Sequence, residues 1–148
     1  MRIERSTTPQ MSSADADIGA VRFAPLREES TVELPTMSLT DGVMLRSFSK
    51  DEDGRTRHTL IPARNVKPVH TGLIMTVPPL LHPLLITPEP LWSAQMECIV
   101  CRVDAESGEL LVCIQSYRHD SFHIPHGTWI ASLMFLQAVA PKYEGLRT

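Results

Sequence analysis

Short apolar segments follow one another along most of this chain, separated by glycine, proline and charged residues. Segments of this length with turn signals between them are typical of strands in a β-sandwich or β-barrel. The sequence therefore predicts an all-β fold. The predicted strands are residues 21–23, 34–36, 43–48, 58–61, 72–77, 84–87, 98–103, 109–116, 121–124 and 129–139.

Two segments also allow a helix. Residues 90–97 begin with a proline, which suits the first turn of a short helix. Residues 129–139 can be drawn as a helix with Ile130, Leu133 and Met134 on one face. We prefer a strand for this second segment, because the Pro125-His126-Gly127 turn before it suits a hairpin.

The length suits a single domain, since 148 residues are enough to bury a core. Residues 1–20 are rich in polar residues and alanine and are predicted to be a flexible tail, followed by a β domain over 21–143 and a short C-terminal tail over 144–148. No segment approaches the roughly 20 apolar residues of a membrane-spanning helix. The first residues also lack the apolar segment of a secretory signal, so we expect an intracellular protein without a membrane span.

Charge and cysteine content exclude further classes. The formal net charge of -3 gives no electrostatic basis for binding nucleic acid. Three cysteines, an odd number, argue against a disulfide framework and suit a reducing compartment. The sequence contains neither a glycine-rich phosphate loop nor a nucleophile elbow.

Two groups of residues have the composition of metal ligands. Cys98 and Cys101 have the spacing of half a zinc site, but residues three apart in a strand are expected to point to opposite faces. We therefore predict that they are core residues. His119, His123 and His126 cluster around one predicted hairpin, where three imidazoles could bind zinc or make the surface sensitive to pH. We favour solvated turn histidines and predict no metal site.

Five segments, in chain order, resemble the trimeric dUTPase family. Residues 34–36 (Leu-Pro-Thr) resemble the segment before that family's first motif, and residues 42–46 (Gly-Val-Met-Leu-Arg) resemble the motif itself. Residues 69–73 (Val-His-Thr-Gly-Leu) are similar to the family's Val-Pro-Thr-Gly-Leu segment. Residues 108–110 (Gly-Glu-Leu) resemble the end of the third motif, and residues 120–135 resemble the approach to the fourth motif and its strand. The resemblance covers the predicted β domain and implies a dUTPase-like distorted jelly-roll or β-barrel that forms a homotrimer.

The positions that carry the chemistry in this family are replaced. By this resemblance, the first-motif aspartate falls on Met44, the water-orienting aspartate of the third motif on Val103, the tyrosine under the deoxyribose near Glu106, and the fourth-motif glutamine on Ser132. Asp104 is the fallback base. It is a poor one, because a shift of one residue along a strand reverses the face of the side chain.

Two further regions depart from the family's pattern. The second motif is an Arg-Ser pair that grips phosphate, whereas residues 87–92 contain Glu89, which would repel a triphosphate. The fifth motif is a glycine-rich C-terminal arm, and this chain has Gly145 as its one glycine after Gly127. The resemblance therefore implies a protein that has lost dUTP hydrolysis, since removing one transition-state contact already costs about 10²–10³ in rate.

The same pattern is similar to the adenoviral early-region-four first-reading-frame proteins, which bind host signalling proteins. This resemblance implies a viral regulator that needs no cofactor, binds host regulatory proteins and works in the host cytoplasm or nucleus. One alternative is a divergent dUTP or nucleotide pyrophosphatase that uses Mg²⁺, with Asp104 as base and Ser132 and Arg102 as phosphate contacts. Another is a structural component of a virion.

For residues 80–86 we favour a core strand or a strand at a trimer axis over an exposed partner-binding strand.

Overall fold

The structure is a computed structural model that describes residues 19–27, 34–50, 53–55, 58–137, 144–145 and 147. Nearly all regular structure in these residues is strand, so the prediction of an all-β fold is confirmed. No helix in this part of the chain is long and apolar enough to cross a membrane. Most of the predicted N-terminal tail, and most residues after position 137, lie outside the described ranges. The elements are β1 (Arg22–Pro25), β2 (Thr36–Ser38), β3 (Gly42–Arg46), β4 (Thr59–Ile61), β5 (Val66–His70), β6 (Leu73–Thr76), β7 (Leu81–Ile86), α1 (Glu89–Ser93), β8 (Met96–Val103), β9 (Leu110–Ser116), β10 (Phe122–Ile124) and β11 (Trp129–Gln137).

The strands form four antiparallel sheets. The largest has the order β2-β3-β11-β7, and a three-stranded sheet has the order β5-β9-β8. Two ribbons complete the fold: β1 pairs with β6, and β10 pairs with β4. Most neighbours in these sheets are distant in sequence, so the chain crosses repeatedly from one sheet to another.

One apolar core joins the sheets. In β11, the alternate residues Ala131, Leu133 and Phe135 point inward and are at most 6% exposed. In β9, the central strand of its sheet, Val112 and Ile114 face the same core and are fully buried. Because inward side chains recur every second residue, residues 129–137 form a strand rather than the alternative helix. The short helix allowed for residues 90–97 is also present, as α1, although it begins one residue earlier and ends at Ser93.

Two strands differ from the sequence prediction because they contain proline. β5 includes Pro68 and was not predicted, and β7 includes Pro83 and begins at Leu81 rather than at residue 84. A proline removes one hydrogen-bond donor from the ladder, so it is tolerated mainly in edge strands. Both β5 and β7 are edge strands of their sheets, which explains why the prolines fit.

A β-bulge overturns the predicted orientation of the first two cysteines. The register of β8 against β9 shifts between Cys98 and Val100. Cys98 therefore lies opposite Ile114 and Cys101 opposite Val112, and both of these partners belong to the core. The extra residue in the bulge places the two cysteines on the same face, whereas a regular strand would have placed them on opposite faces. Their assignment as core residues stands, because Cys98 is 8% exposed and Cys101 packs against the core.

Candidate functional site

The outer face of the four-stranded sheet carries two of the four substituted motif positions. Ser132 of β11 lies directly opposite Met44 of β3, which in turn lies opposite Thr36 of β2. On its other side Ser132 lies opposite Ile86 of β7. Residues opposite each other in an antiparallel pair share a face. These four residues, named the Met44 row here, therefore cross the sheet side by side.

The surroundings of the Met44 row are mainly apolar, with Arg46 on the same face at the Trp129 end and His82 opposite Leu136 at the other end. Two residues further along the strands, Gly42, Met134 and Leu84 lie side by side, and Leu136 follows two residues after Met134 on β11. Leu84 is 45% exposed, Ile86 39% and Leu136 55%. A triphosphate needs cations or hydrogen-bond donors for its oxygens, whereas thioethers and aliphatic side chains supply neither. We name Met44, Leu84, Ile86, Met134 and Leu136 the Met44 face.

Trp129 covers Ser132, one of the two polar members of the row. The register of β11 against β3 shifts between Trp129 and Ala131, and this bulge brings Trp129 to the same face as Ser132. The indole Nε1 donates to the Ser132 hydroxyl oxygen at 3.2 Å and to the Ala131 carbonyl at 3.1 Å. Ser132 is consequently only 3% exposed. Its hydroxyl is engaged beneath an aromatic ring, where a phosphate could not reach it directly.

A small pocket opens beside the row. Its volume is about 140 Å³, compared with roughly 300–1,000 Å³ for ordinary ligand sites. The lining residues are Leu34, Pro35, Thr36, Met44, Arg46, Thr71 and Leu73.

The other two substituted positions lie in the β8–β9 hairpin. Val103, at the end of β8, is 58% exposed, and Glu106 is exposed in the turn that follows. Both belong to the three-stranded sheet and its turn, so the chain does not place them in the Met44 row.

Asp104, the fallback base, organises that turn. One carboxylate oxygen accepts the Ser107 hydroxyl at 2.9 Å and the other accepts the Glu106 amide at 3.3 Å. The Asp104 carbonyl accepts the Gly108 amide at 2.9 Å. The hydrogen bond from Ser107, followed by that from Glu106, lowers the pKa of Asp104 below its ordinary value. A general base works best with a pKa near the operating pH, so these bonds make Asp104 a weaker base.

The phosphate contacts of the alternative mechanism are not brought together within one chain. Arg102 lies opposite Leu111 on the face of the three-stranded sheet that points away from the core, since Leu111 is outside the core cluster. Ser132 lies on the outer face of the other large sheet. The core separates the two side chains.

The segment equivalent to the second motif forms α1 and its approach. The Thr87 hydroxyl oxygen accepts the Cys98 amide at 3.0 Å, which ties this segment to β8. Glu89 is exposed in the first helical turn, where its carboxylate accepts a hydrogen bond from the Ser93 hydroxyl. An acidic group at this position suits the helix N-terminus but not a phosphate.

A buried acid that sequence reasoning did not single out lies behind the β8–β9 hairpin. Glu109 is 6% exposed. Its two carboxylate oxygens accept hydrogen bonds from the His70 Nδ1–H at 2.7 Å and from the Gly72 amide at 2.8 Å. The hydrogen bond that His70 donates to Glu109 is the main cause that raises the pKa of His70. His70 lies in segment 69–73 and Glu109 in segment 108–110. The similarity of these two segments to the dUTPase family was the sequence signal that could have identified both residues. Trp129 had no comparable signal, because only the bulge turns it toward Ser132.

The predicted histidine cluster does not converge. His119 contacts Arg64, His123 contacts His58 and His126 contacts the Ser49 amide, so each ring has a different neighbour. Among the residues that the structure describes, no group of three or more His, Cys, Asp or Glu side chains could hold a metal ion. The three cysteines are free thiols.

Comparison with known proteins gives a match at the level of fold. No protein-family model matches the sequence, and no curated protein matches it. A dUTPase of phage phi11 of S. aureus, described with a structural Mg(II) ion, superposes with a TM-score of 0.64 and 13% identity over 88% of this chain and 98% of that one. The dUTPase of EIAV gives 0.61 and 15% identity over 86% and 96% of the two chains. The Staphylococcus bacteriophage 80alpha dUTPase with dUPNHPP gives 0.64 and 14% identity over 87% and 89%. The chain therefore has a dUTPase-like all-β fold.

Proposed function

We propose that this chain is a catalytically inactive, dUTPase-derived protein that acts by binding other proteins, as a viral regulator of host signalling. The observation that carries the proposal is the Met44 row, in which a thioether and an indole-covered serine occupy the sheet face of the substituted motif positions. A triphosphate held over the row would meet a thioether, an aliphatic side chain and a serine that Trp129 covers, and Arg46 beside the row is a single cation for several phosphate oxygens.

The proposal includes host regulatory proteins as partners, a location in the host cytoplasm or nucleus, and no cofactor. It also includes a homotrimer. The Met44 face supports association, since Leu84, Ile86 and Leu136 expose apolar surface side by side on neighbouring strands.

A hydrolysis assay tests whether the protein has lost dUTP hydrolysis. Purified protein, with its mass established by light scattering, is incubated at high concentration with dUTP and Mg²⁺, and pyrophosphate release is followed. We expect no turnover above the buffer rate and no binding of a non-hydrolysable dUTP analogue. Metal-dependent turnover that disappears in the Asp104→Ala variant would show that the proposal is wrong.

A divergent dUTP pyrophosphatase is the second candidate. It is favoured by the fold match, which covers 86–88% of this chain against enzymes that include a complex with dUPNHPP. In this case Asp104 would act as base, with Mg²⁺ bound, and Ser132 and Arg102 would have to come from different subunits. The variant Arg102→Ala tests this second candidate, because the substitution abolishes turnover only if Arg102 contacts phosphate.

A further inference from the structure

The pocket beside β2 and β3 has a buried floor and an exposed rim. Thr71 and Leu73 form the floor and are at most 2% exposed, whereas Leu34, Thr36 and Arg46 are exposed at the rim. The volume of about 140 Å³ is close to the roughly 150 Å³ of a cavity that holds one benzene molecule. The pocket therefore has room for one apolar group about as large as a leucine side chain.

Most of the wall favours an apolar group. Leu34, Pro35 and Leu73 present aliphatic carbon, and the Met44 side chain is flexible and polarisable, so it adapts to the shape of a ligand. Leu34 is 56% exposed, and a group that covered it would remove apolar surface from water. The hydrophobic effect therefore supports the binding of one aliphatic or aromatic group.

The polar side chains at the rim are hydrogen-bond donors. The Arg46 guanidinium has five N–H donors, and one of them reaches the Gly127 carbonyl at 3.3 Å. Among the described residues, no carboxylate forms an ion pair with Arg46. The Thr36 hydroxyl donates to the Met44 sulfur at 3.8 Å, and a thioether is a weak acceptor. Both groups can therefore donate to a ligand that brings a stronger acceptor.

The remaining polar groups and the charge of the pocket select an anion. The Thr71 hydroxyl donates to the Leu110 carbonyl at 2.7 Å and accepts the Leu73 amide at 3.3 Å, so it is used within the fold. None of the described lining residues carries a carboxylate or an imidazole. A planar guanidinium matches one carboxylate through two parallel hydrogen bonds, whereas a phosphate dianion would keep uncompensated charge.

We propose that this pocket binds a short apolar group that ends in a carboxylate. The apolar part lies on Met44 and Leu73, and the carboxylate accepts hydrogen bonds from Arg46 and Thr36. A small branched-chain acid and the C-terminal leucine of a polypeptide share this chemistry. The site is independent of the function proposed above, because neither the loss of dUTP hydrolysis nor a trimer enters into it.

Ligand-observed NMR titration of the full chain at about pH 7.5, where a carboxylic acid is ionised, tests the site. N-acetyl-leucine carries both groups, N-acetylleucinamide lacks the carboxylate, and N-acetylglycine lacks the isobutyl group. We expect N-acetyl-leucine to bind at least about tenfold more tightly than either control, because each control lacks one of the two interactions that define the site. Equal binding of N-acetyl-leucine and either control would overturn the proposal, as would no binding of N-acetyl-leucine.

Substitutions identify the groups responsible. Arg46→Gln should weaken binding of N-acetyl-leucine by about tenfold and leave binding of N-acetylleucinamide within about twofold, because only the acid uses the charge. Thr36→Val keeps the side-chain shape but removes the hydroxyl donor, and it should weaken binding of the acid by about threefold or more. If Arg46→Gln does not fold, Thr36→Val carries the test.

Arg64→Gln is the control for a general effect of charge. It removes an exposed cation in the turn after β4, outside the pocket, and should change binding of N-acetyl-leucine less than about twofold. Equal losses in Arg46→Gln and Arg64→Gln would overturn the proposal. Unchanged binding of the acid by Arg46→Gln would overturn it as well.

A peptide distinguishes the two sources of the ligand. An acetylated tetrapeptide of three alanines and a C-terminal leucine is compared with N-acetyl-leucine and with its own C-terminal amide. Binding of the free peptide that is at least about tenfold tighter than that of N-acetyl-leucine assigns the site to polypeptide chain ends, and a smaller difference assigns it to small acids. A peptide amide that binds as tightly as the free peptide would contradict the carboxylate contact.

Discussion

At the scale of single residues, Gly42 shows how closely two strands approach beneath the Met44 face. Its φ of +68° is rare for other residues, and a Cβ at this position would lie 2.4 Å from the Leu133 carbonyl oxygen. Backbone atoms of a central strand cannot move away easily, so Gly42→Ala combines conformational strain with a clash. We expect it to lower the free energy of unfolding by about 3 kcal/mol or more.

Gly108→Ala is the matched control for this substitution. Gly108 has a φ of +79°, but nothing lies within 4 Å of an added Cβ. It should cost only about 1–2 kcal/mol from the backbone conformation alone. Chemical denaturation of both variants measures the difference, and equal losses would contradict the predicted clash.

The cysteines allow a second prediction at this scale. Burial raises the pKa of both Cys98 and Cys101 to about 12, and Cys113 is 8% exposed. Thiolates are the reactive species, so a pKa raised by about three units slows labelling by about a thousandfold. We expect a thiol reagent at mildly alkaline pH to label Cys98 and Cys101 slowly in the native protein and all three cysteines rapidly in denaturant. Rapid labelling of Cys98 or Cys101 without denaturant would show that β8 opens readily.

At the scale of elements, Glu109 joins the start of β9 to the corner between β5 and β6. Its bond to His70 raises the pKa of His70, so the folded state holds the imidazole proton more tightly than the unfolded state does. The stabilisation is fully present below the ordinary pKa of about 6.5 and is lost as the pH rises through the raised value. This direction is opposite to that of His126, whose lowered pKa stabilises the fold at higher pH and loses that effect on acidification.

We therefore expect His70→Asn to change the pH dependence of stability in a defined direction. Between about pH 6 and about pH 8.5, the free energy of unfolding of the unmodified protein should fall relative to that of the variant. Urea denaturation at several pH values measures both curves. Parallel curves would mean that His70 and Glu109 do not share a proton-linked contact in solution.

The elements also show what the sequence could and could not reveal. Turn residues and apolar runs were sufficient to predict β9 and β11, because most side chains of both strands are buried and the strands therefore appear as apolar runs in the sequence. β5 escaped detection because Pro68 is acceptable only in an edge strand, and edge position is a property of the assembled sheet. The two bulges were likewise invisible. They decide that Cys98 and Cys101 share a face, and that Trp129 covers Ser132.

At the scale of the whole molecule, the candidate site could be predicted only in part. The segments that resemble the dUTPase family placed Met44 and Ser132 on β3 and β11, and the structure shows that the two residues are direct neighbours. The distance of Val103 and Glu106 from them could not be anticipated from motif order, since it depends on which sheet each strand joins. A site assembled from both pairs would require more than one copy of the chain.

The proposed homotrimer is the whole-molecule property that the Met44 face makes testable. Leu84 of the Met44 face is 45% exposed, and placing a glutamate there would bury an unpaired carboxylate in any interface that covers the face, at a cost of several kcal/mol for each copy. We expect light scattering to give three times the 16.5 kDa chain mass for the unmodified protein and a single chain for Leu84→Glu. The control Leu39→Glu alters a leucine that is 94% exposed and should remain trimeric. A monomeric unmodified protein would refute the trimer, whereas a trimeric Leu84→Glu variant would move the interface away from the Met44 face.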